Sequence, residues 1–326
     1  EINAIWGVAT NELLAVGDSG GSKRGMLLEY DGTSWNDLGD LVSSEFRGVH
    51  GFGSGGAAFA VGGGGTVARR ADGVWTQDSS PTTFALHSVW GADESQVWAV
   101  GNTGTLLLYN GTSWGEADSP TNLALHDIWG RSANDAYAVG ASGVMLQWDG
   151  VQWTVLRSNT TANLRAVWGL APDNVYAVGA KATIMHFNGL NWSQIKVEDE
   201  VHGGEPTPVV NQLFDVWGTA NDRLFAVGAD GTLIQTEVSQ TTGDILWVKS
   251  PQQDNDVTVR GLVGQDDENL WMFGRDGLIL HFEPPAMSSE ESESIATLYD
   301  AFRFDNGEII TVGNLATILR RGVFAE

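Results

Sequence analysis

Cysteine is absent from this chain, and lysine supplies only 4 of its 17 basic residues. The first absence excludes a disulfide framework, a thiolate metal site and a cysteine nucleophile. The shortage of cations argues against nonspecific binding to nucleic acid or anionic lipid, because both need Lys and Arg to neutralise phosphate. Acidic residues number 41, which leaves a formal charge of −24. No apolar run approaches the roughly 20 residues of a membrane-spanning helix. Proline is sparse as well, at 8 residues.

Glycine and tryptophan are abundant, at 42 and 14 of 326 residues. Length alone suggests about two domains of ~150 residues, but internal repetition overrides that estimate. Aligned on Ala-Val-Gly and its variants, the final glycine recurs at Gly17, Gly62, Gly101, Gly140, Gly179, Gly228, Gly274 and Gly313. The intervals are 45, 39, 39, 39, 49, 46 and 39 residues. Each unit holds four short segments rich in Val, Ile, Leu and aromatic residues, and none is long enough for a helix. The first is Leu-x-x-Val-Trp-Gly, as at Leu86–Gly91 and Leu125–Gly130, and the second ends on Ala-Val-Gly. The third runs into Asp-Gly or Asn-Gly, as at Asp31-Gly32, Asn110-Gly111 and Asp149-Gly150, and the fourth opens on Trp. Those dipeptides are strong hairpin signals, since glycine accepts positive φ at little cost.

Four antiparallel strands per unit, eight times over, predict an all-β fold: one eight-bladed β-propeller domain spanning residues 1–326. Its last blade is expected to lack most of its outer strand. From a fourth-strand Trp to the next Trp-Gly is 15 residues in three copies. From Phe324, which takes that slot in the last unit, through the chain end and back to Trp6 there are 8. Residues upstream of Glu1 are the other source of the missing strand. A chain beginning with Glu is compatible with removal of a signal peptide.

The pattern Val-Trp-Gly, Val-Tyr-Ala-Val-Gly, Gly-Thr-Leu-Leu-x-Tyr-Asn-Gly-Thr-Ser-Trp resembles the propeller repeats of secreted and surface proteins of myxobacteria-like bacteria. It is similar, more distantly, to the Asp-box repeats of sialidases and to photosystem II assembly-factor propellers. An Asp-box reads Ser-x-Asp-x-Gly-x-Thr-Trp, whereas Asn110-Gly111-Thr112-Ser113-Trp114 is one residue tighter between Asn and Gly. The Gly-His and Trp-Asp marks of WD repeats are absent. The resemblance implies an extracellular or cell-surface propeller. It leaves function open, because propellers host hydrolases, lyases, lectins and scaffolds alike.

The tryptophans all fall in repeat slots, so they read as blade-to-blade packing and not as sugar platforms. One slot is chemically different. Three residues before each first-strand Trp position stand Asn3, Arg47, His87, His126, Arg165, Phe214, Arg260 and Tyr299. The first strand of a propeller is innermost, so this slot should ring the axis near one mouth. Arg clamps carboxylates bidentately and His bonds or protonates anions, so Arg47, His87, His126, Arg165, Arg260 and Tyr299 are candidate ligand-binding residues. The competing expectation is that they pack between blades or bond free carbonyls at strand ends.

Three Arg from separate blades are also a feature of sialidases, but the Tyr nucleophile, its base and the Asp acid cannot be assigned. No catalytic residue is named. His202 and Glu205 lack a third metal ligand, and the acidic turn Asp266-Asp267-Glu268-Asn269 is the one calcium candidate. Gly62–Gly65 is no phosphate cradle, since no helix follows it. Insertions fall at Asp18–Arg24, Val197–Gln212, Gln240–Asp244 and in the acidic stretch after Pro284-Pro285. Three of the four join strand four to the next strand one, or strand two to strand three, and so share a face. The expected function is a non-catalytic, secreted or surface-exposed binding or assembly module, contacting a protein or glycan partner through that face. Its alternatives are a lectin-like binder of anionic glycans at the axial mouth and a glycoside hydrolase or lyase.

Overall fold

The computed structural model describes the chain except residues 20–23, 39–40, 199–208, 220–222, 239–244, 250–256, 267–268, 284–285, 291, 293, 305 and 322–326. Its strands form eight sheets in chain order, antiparallel but for one added strand, the blades of a β-propeller. The innermost strands are Ile2–Ala9, Phe46–Gly51, Leu86–Asp93, Leu125–Ser132, Leu164–Ala171, Leu213–Gly218, Val259–Asp266 and Leu298–Arg303, for blades 1 to 8. Each of them packs against the innermost strand on either side, and Leu298–Arg303 packs against Ile2–Ala9, so the ring closes.

The repeat motif follows from this packing. The Leu that opens each first strand, or its replacement Ile2, Phe46 or Val259, is fully buried. Second strands such as Val97–Val100 are buried along their length, as a strand covered on both faces must be. In most blades the Gly after the first-strand Trp, or after His50 in blade 2, makes room for an aromatic ring of the preceding blade. A Cβ on Gly51 would lie 2.7 Å from Trp6, one on Gly130 2.6 Å from Trp90, and one on Gly169 2.7 Å from Trp129. Phe302 covers Gly7 in the same way, at 3.0 Å, so blade 8 meets blade 1 as any two neighbours meet.

Fourth-strand tryptophans pack edge-on against the second-strand aromatic of the preceding blade. Trp153 meets Trp98 at 5.2 Å and 88°, Trp114 meets Phe59 at 5.8 Å and 84°, and Trp192 meets Tyr137 at 6.0 Å and 73°. These rings are interior, as their repeat register indicates. The hairpin glycines take positive φ, at +92° for Gly32, +88° for Gly111 and +93° for Gly150. The residue before each of them accepts two backbone N–H bonds: Asn110 Oδ1 takes those of Thr112 and Ser113 at 3.0 and 3.1 Å.

Three features depart from the regular unit. Among the described residues blade 8 has three strands, and Phe324 lies outside them. Val197–Glu198, read from sequence as part of a loop, pairs in parallel with Ile245–Lys249 and gives blade 6 a fifth strand. Ser288, Ser289 and Glu290, also read as loop, lie in the fourth strand of blade 7, Ala286–Glu290, opposite Ile279–Glu283. There Pro284-Pro285 stands where other units carry Asp-Gly, which hid the hairpin from a search by turn residues. Most of the expected insertions at Asp18–Arg24, Val197–Gln212 and Gln240–Asp244 lie outside the described residues.

Candidate functional site

The slot three residues before the first-strand Trp comes together at one end of the axis. His87 Nε2–H donates to Asn102 Oδ1 at 2.8 Å, and Asn102 opens the turn between strands two and three of its blade. The slot therefore lies on the face that carries those turns. Neighbouring members touch from blade to blade. Arg47 Nη1 donates to His87 Nδ1 at 3.0 Å, the His87 and His126 rings lie 6.2 Å apart, and Arg260 sits 4.5 Å over the Phe214 ring.

Arginine can only donate, so its bond to Nδ1 requires His87 to be neutral with the proton on Nε2. Burial holds the His87 pKa below the ordinary imidazole value, and the charges of Arg47, His126 and Arg165 add to that. Burial and then Arg165 act in the same direction on His126. Two members meet the competing expectation as well: Asn3 Nδ2 donates to Phe46 O at 2.7 Å, and His126 Nδ1 to Leu164 O at 2.6 Å. Both acceptors are carbonyls at the start of the next blade's inner strand.

The cations are not equivalent. Arg47 is paired with Glu45 at 2.8 Å. Arg165 is exposed, Arg260 is half-buried, and neither has a carboxylate within ion-pair distance among the described residues. Arg275 joins them, close enough to Arg260 for the two charges to oppose one another. It was missed from sequence, although aligning the residue after Ala-Val-Gly would have found it, because Arg275 occupies the same slot as Asn102. On the far side Glu1 and Asp18 raise the pKa of Tyr299, after burial, which is the larger cause. The mouth is thus basic at blades 5 and 7, where Arg165, Arg260 and Arg275 stand, and acidic toward blade 1.

Tyr299 closes the series, but its hydroxyl donates no hydrogen bond to a carboxylate base among the described residues, and its pKa is raised, not lowered. That is the reverse of what an activated phenolate nucleophile needs. No group of three His, Asp or Glu is placed to hold a metal ion among the described residues. His202, Glu205, Asp267 and Glu268 lie outside them. Among the described residues no helix is long and apolar enough to cross a membrane.

No family model and no curated protein matches the chain. Solved structures do. "YCF48 bound to D1 peptide" is similar at 17% identity and a TM-score of 0.59, with 82% of this chain and 88% of that one covered. The C-terminal WD40 domain of Sif2 is similar at 12% identity and TM-score 0.71, covering 99% and 96%. Sqt1 from Chaetomium thermophilum is similar at 12% and 0.74, covering 99% and 95%. At these identities the likeness is one of fold. It meets the expected resemblance to photosystem II assembly-factor propellers at that level.

Proposed function

We propose that this propeller is a non-catalytic binding scaffold whose basic axial mouth receives an anionic segment of a protein partner. The observation that carries this reading is the set of guanidinium groups with no carboxylate partner among the described residues, Arg165, Arg260 and Arg275, in a chain with 41 acidic and 17 basic residues. Where carboxylates outnumber cations so heavily, cations left without one at a single mouth are placed for an outside anion. The surrounding negative field would turn away anions elsewhere and leave this mouth as the favoured point of entry. A propeller of similar fold, YCF48, is bound to D1 peptide, which supports a peptide-sized partner here.

Fluorescence anisotropy with acidic and neutral peptides of equal length tests the reading. An acidic peptide should bind with an affinity that falls as salt is raised, and Arg165→Ala or Arg260→Ala should weaken it by roughly tenfold or more, as for loss of a charge-assisted bond. Equal binding of both peptides, or no change in either variant, would sink it. Binding of sialylated or uronate glycans instead, lost on Arg165→Ala, would assign the same cations to an acidic sugar.

A further inference from the structure

The inner strand of each blade has one edge that faces the axis and pairs with no other strand, so its N–H groups need acceptors from elsewhere. One residue beyond the basic slot, the innermost strands carry Ala4, Gly48, Ser88, Asp127, Ala166, Asp215, Gly261 and Asp300. Aspartate thus occupies blades 4, 6 and 8, and the blade after each carries Ala or Gly.

The three carboxylates repeat one geometry. Asp127 Oδ2 accepts the N–H of Val167 at 2.9 Å, Asp215 Oδ2 that of Leu262 at 3.1 Å, and Asp300 Oδ2 that of Ile5 at 2.9 Å. Each bond crosses from one blade to the next. Asp215 and Asp300 also accept their own neighbours' N–H groups, from Val216 and Ala301, and Asp127 accepts the Ser88 hydroxyl from blade 3. The small residues opposite leave room for the carboxylate. The Asp300 bond joins the last blade to the first.

The inner strands that carry or flank these carboxylates also hold His87, Asp93, His126, Arg131, Arg165, Arg260, Asp266, Tyr299 and Arg303, with Glu1 just before Ile2, and the second strands behind them hold Glu12, Asp18, Asp135, Tyr137 and Tyr176. Among the described residues none makes an ion pair with any of the three. The carboxylates are part-buried and have no counter-ion among the described residues, and Asp215 feels the negative charge of both others.

We propose that Asp127, Asp215 and Asp300 are proton-responsive latches that lock blades 4 to 5, 6 to 7 and 8 to 1, holding the ring more firmly when a proton is shared among them than when all three are ionised. A protonated carboxyl keeps one oxygen to accept the next blade's N–H, so the latch survives while mutual repulsion falls.

Burial raises all three pKa values, Asp215 to about 7 and Asp300 to about 6. The folded chain then holds protons that the unfolded chain has released, so this contribution grows as pH falls through these values and is complete below the unfolded carboxylate value of about 4. Histidines whose pKa is lowered in the fold act oppositely below about pH 6.5, so the comparison is made between variants.

Thermal unfolding of the full chain is followed from about pH 8.5 to about pH 6, in high salt to screen the surface charge, for the wild type, Asp215→Asn and Asp300→Asn. The wild-type midpoint should rise on acidification relative to both variants, and hydrogen exchange of the segments bearing Ile5 and Leu262 should slow over the same range. Identical pH slopes in all three proteins would overturn the proposal. Should the Asn variants fail to fold, infrared titration of the wild type decides it. Protonated carboxyl absorption persisting at about pH 6 supports the latches, and complete ionisation by about pH 5 overturns them.

Discussion

At the scale of single residues, glycines that are alike in the sequence do different work. Gly130 makes room for the Trp90 indole, with a virtual Cβ 2.6 Å from it and 2.8 Å from Ala136. Gly48, at the slot where alternate blades carry Asp, would meet nothing closer than 3.4 Å. Gly130→Ala should therefore destabilise by about 1–3 kcal/mol through overpacking. Gly48→Ala should be neutral or stabilise by up to about 1 kcal/mol by narrowing the unfolded ensemble. Paired urea titrations check this, and equal losses in the two variants would refute the assignment of Gly130. The repeat shows that Trp-Gly recurs. It does not show that the Gly serves the Trp of the neighbouring blade, because that contact joins residues about one repeat apart.

At the scale of elements, the third hairpin of blades 1 to 5 was legible almost completely, since its Asx-Gly pair acts within four residues of chain. Replacing Asn110 with Ala removes the acceptor for Thr112 and Ser113 and should cost about 1 kcal/mol, with an unchanged denaturant slope. A change in slope would instead mean that the blade opens separately. Asp31 makes the same turn and its N–H bonds lower its pKa to about 2, so its contribution is present at neutral pH and is lost only as pH falls through that value. Turns with other chemistry were not legible. The Pro284-Pro285 connection into Ala286–Glu290 lacked the dipeptide signal. The pairing of Val197–Glu198 with blade 6 is non-local, so no short window contains it.

At the scale of the whole molecule, closure converts a linear array into a ring. In an open array the terminal unit would melt by itself, as nearest-neighbour repeats do. Here Phe302 covers Gly7 and Asp300 reaches Ile5, so the last blade is bound on both sides. Phe302→Ala, close to the chain end, should cost about 2–4 kcal/mol and shift one global transition, much as Trp129→Ala does in mid-ring. Calorimetry resolving a separate early transition for Phe302→Ala would show that the ring does not close cooperatively.

The sequence by itself determined the blade number, the strand order of the regular unit, the Asx-Gly hairpins and the interior place of the tryptophans, because all of these repeat in register. It also located the slot that became the basic mouth. Only the tertiary structure decided which cations there are paired, that Arg275 belongs with them, and that aspartates on alternate blades bond across to their neighbours. Those outcomes depend on contacts between units and across the axis, and the spacing of one unit along the chain does not encode what the next unit places opposite it.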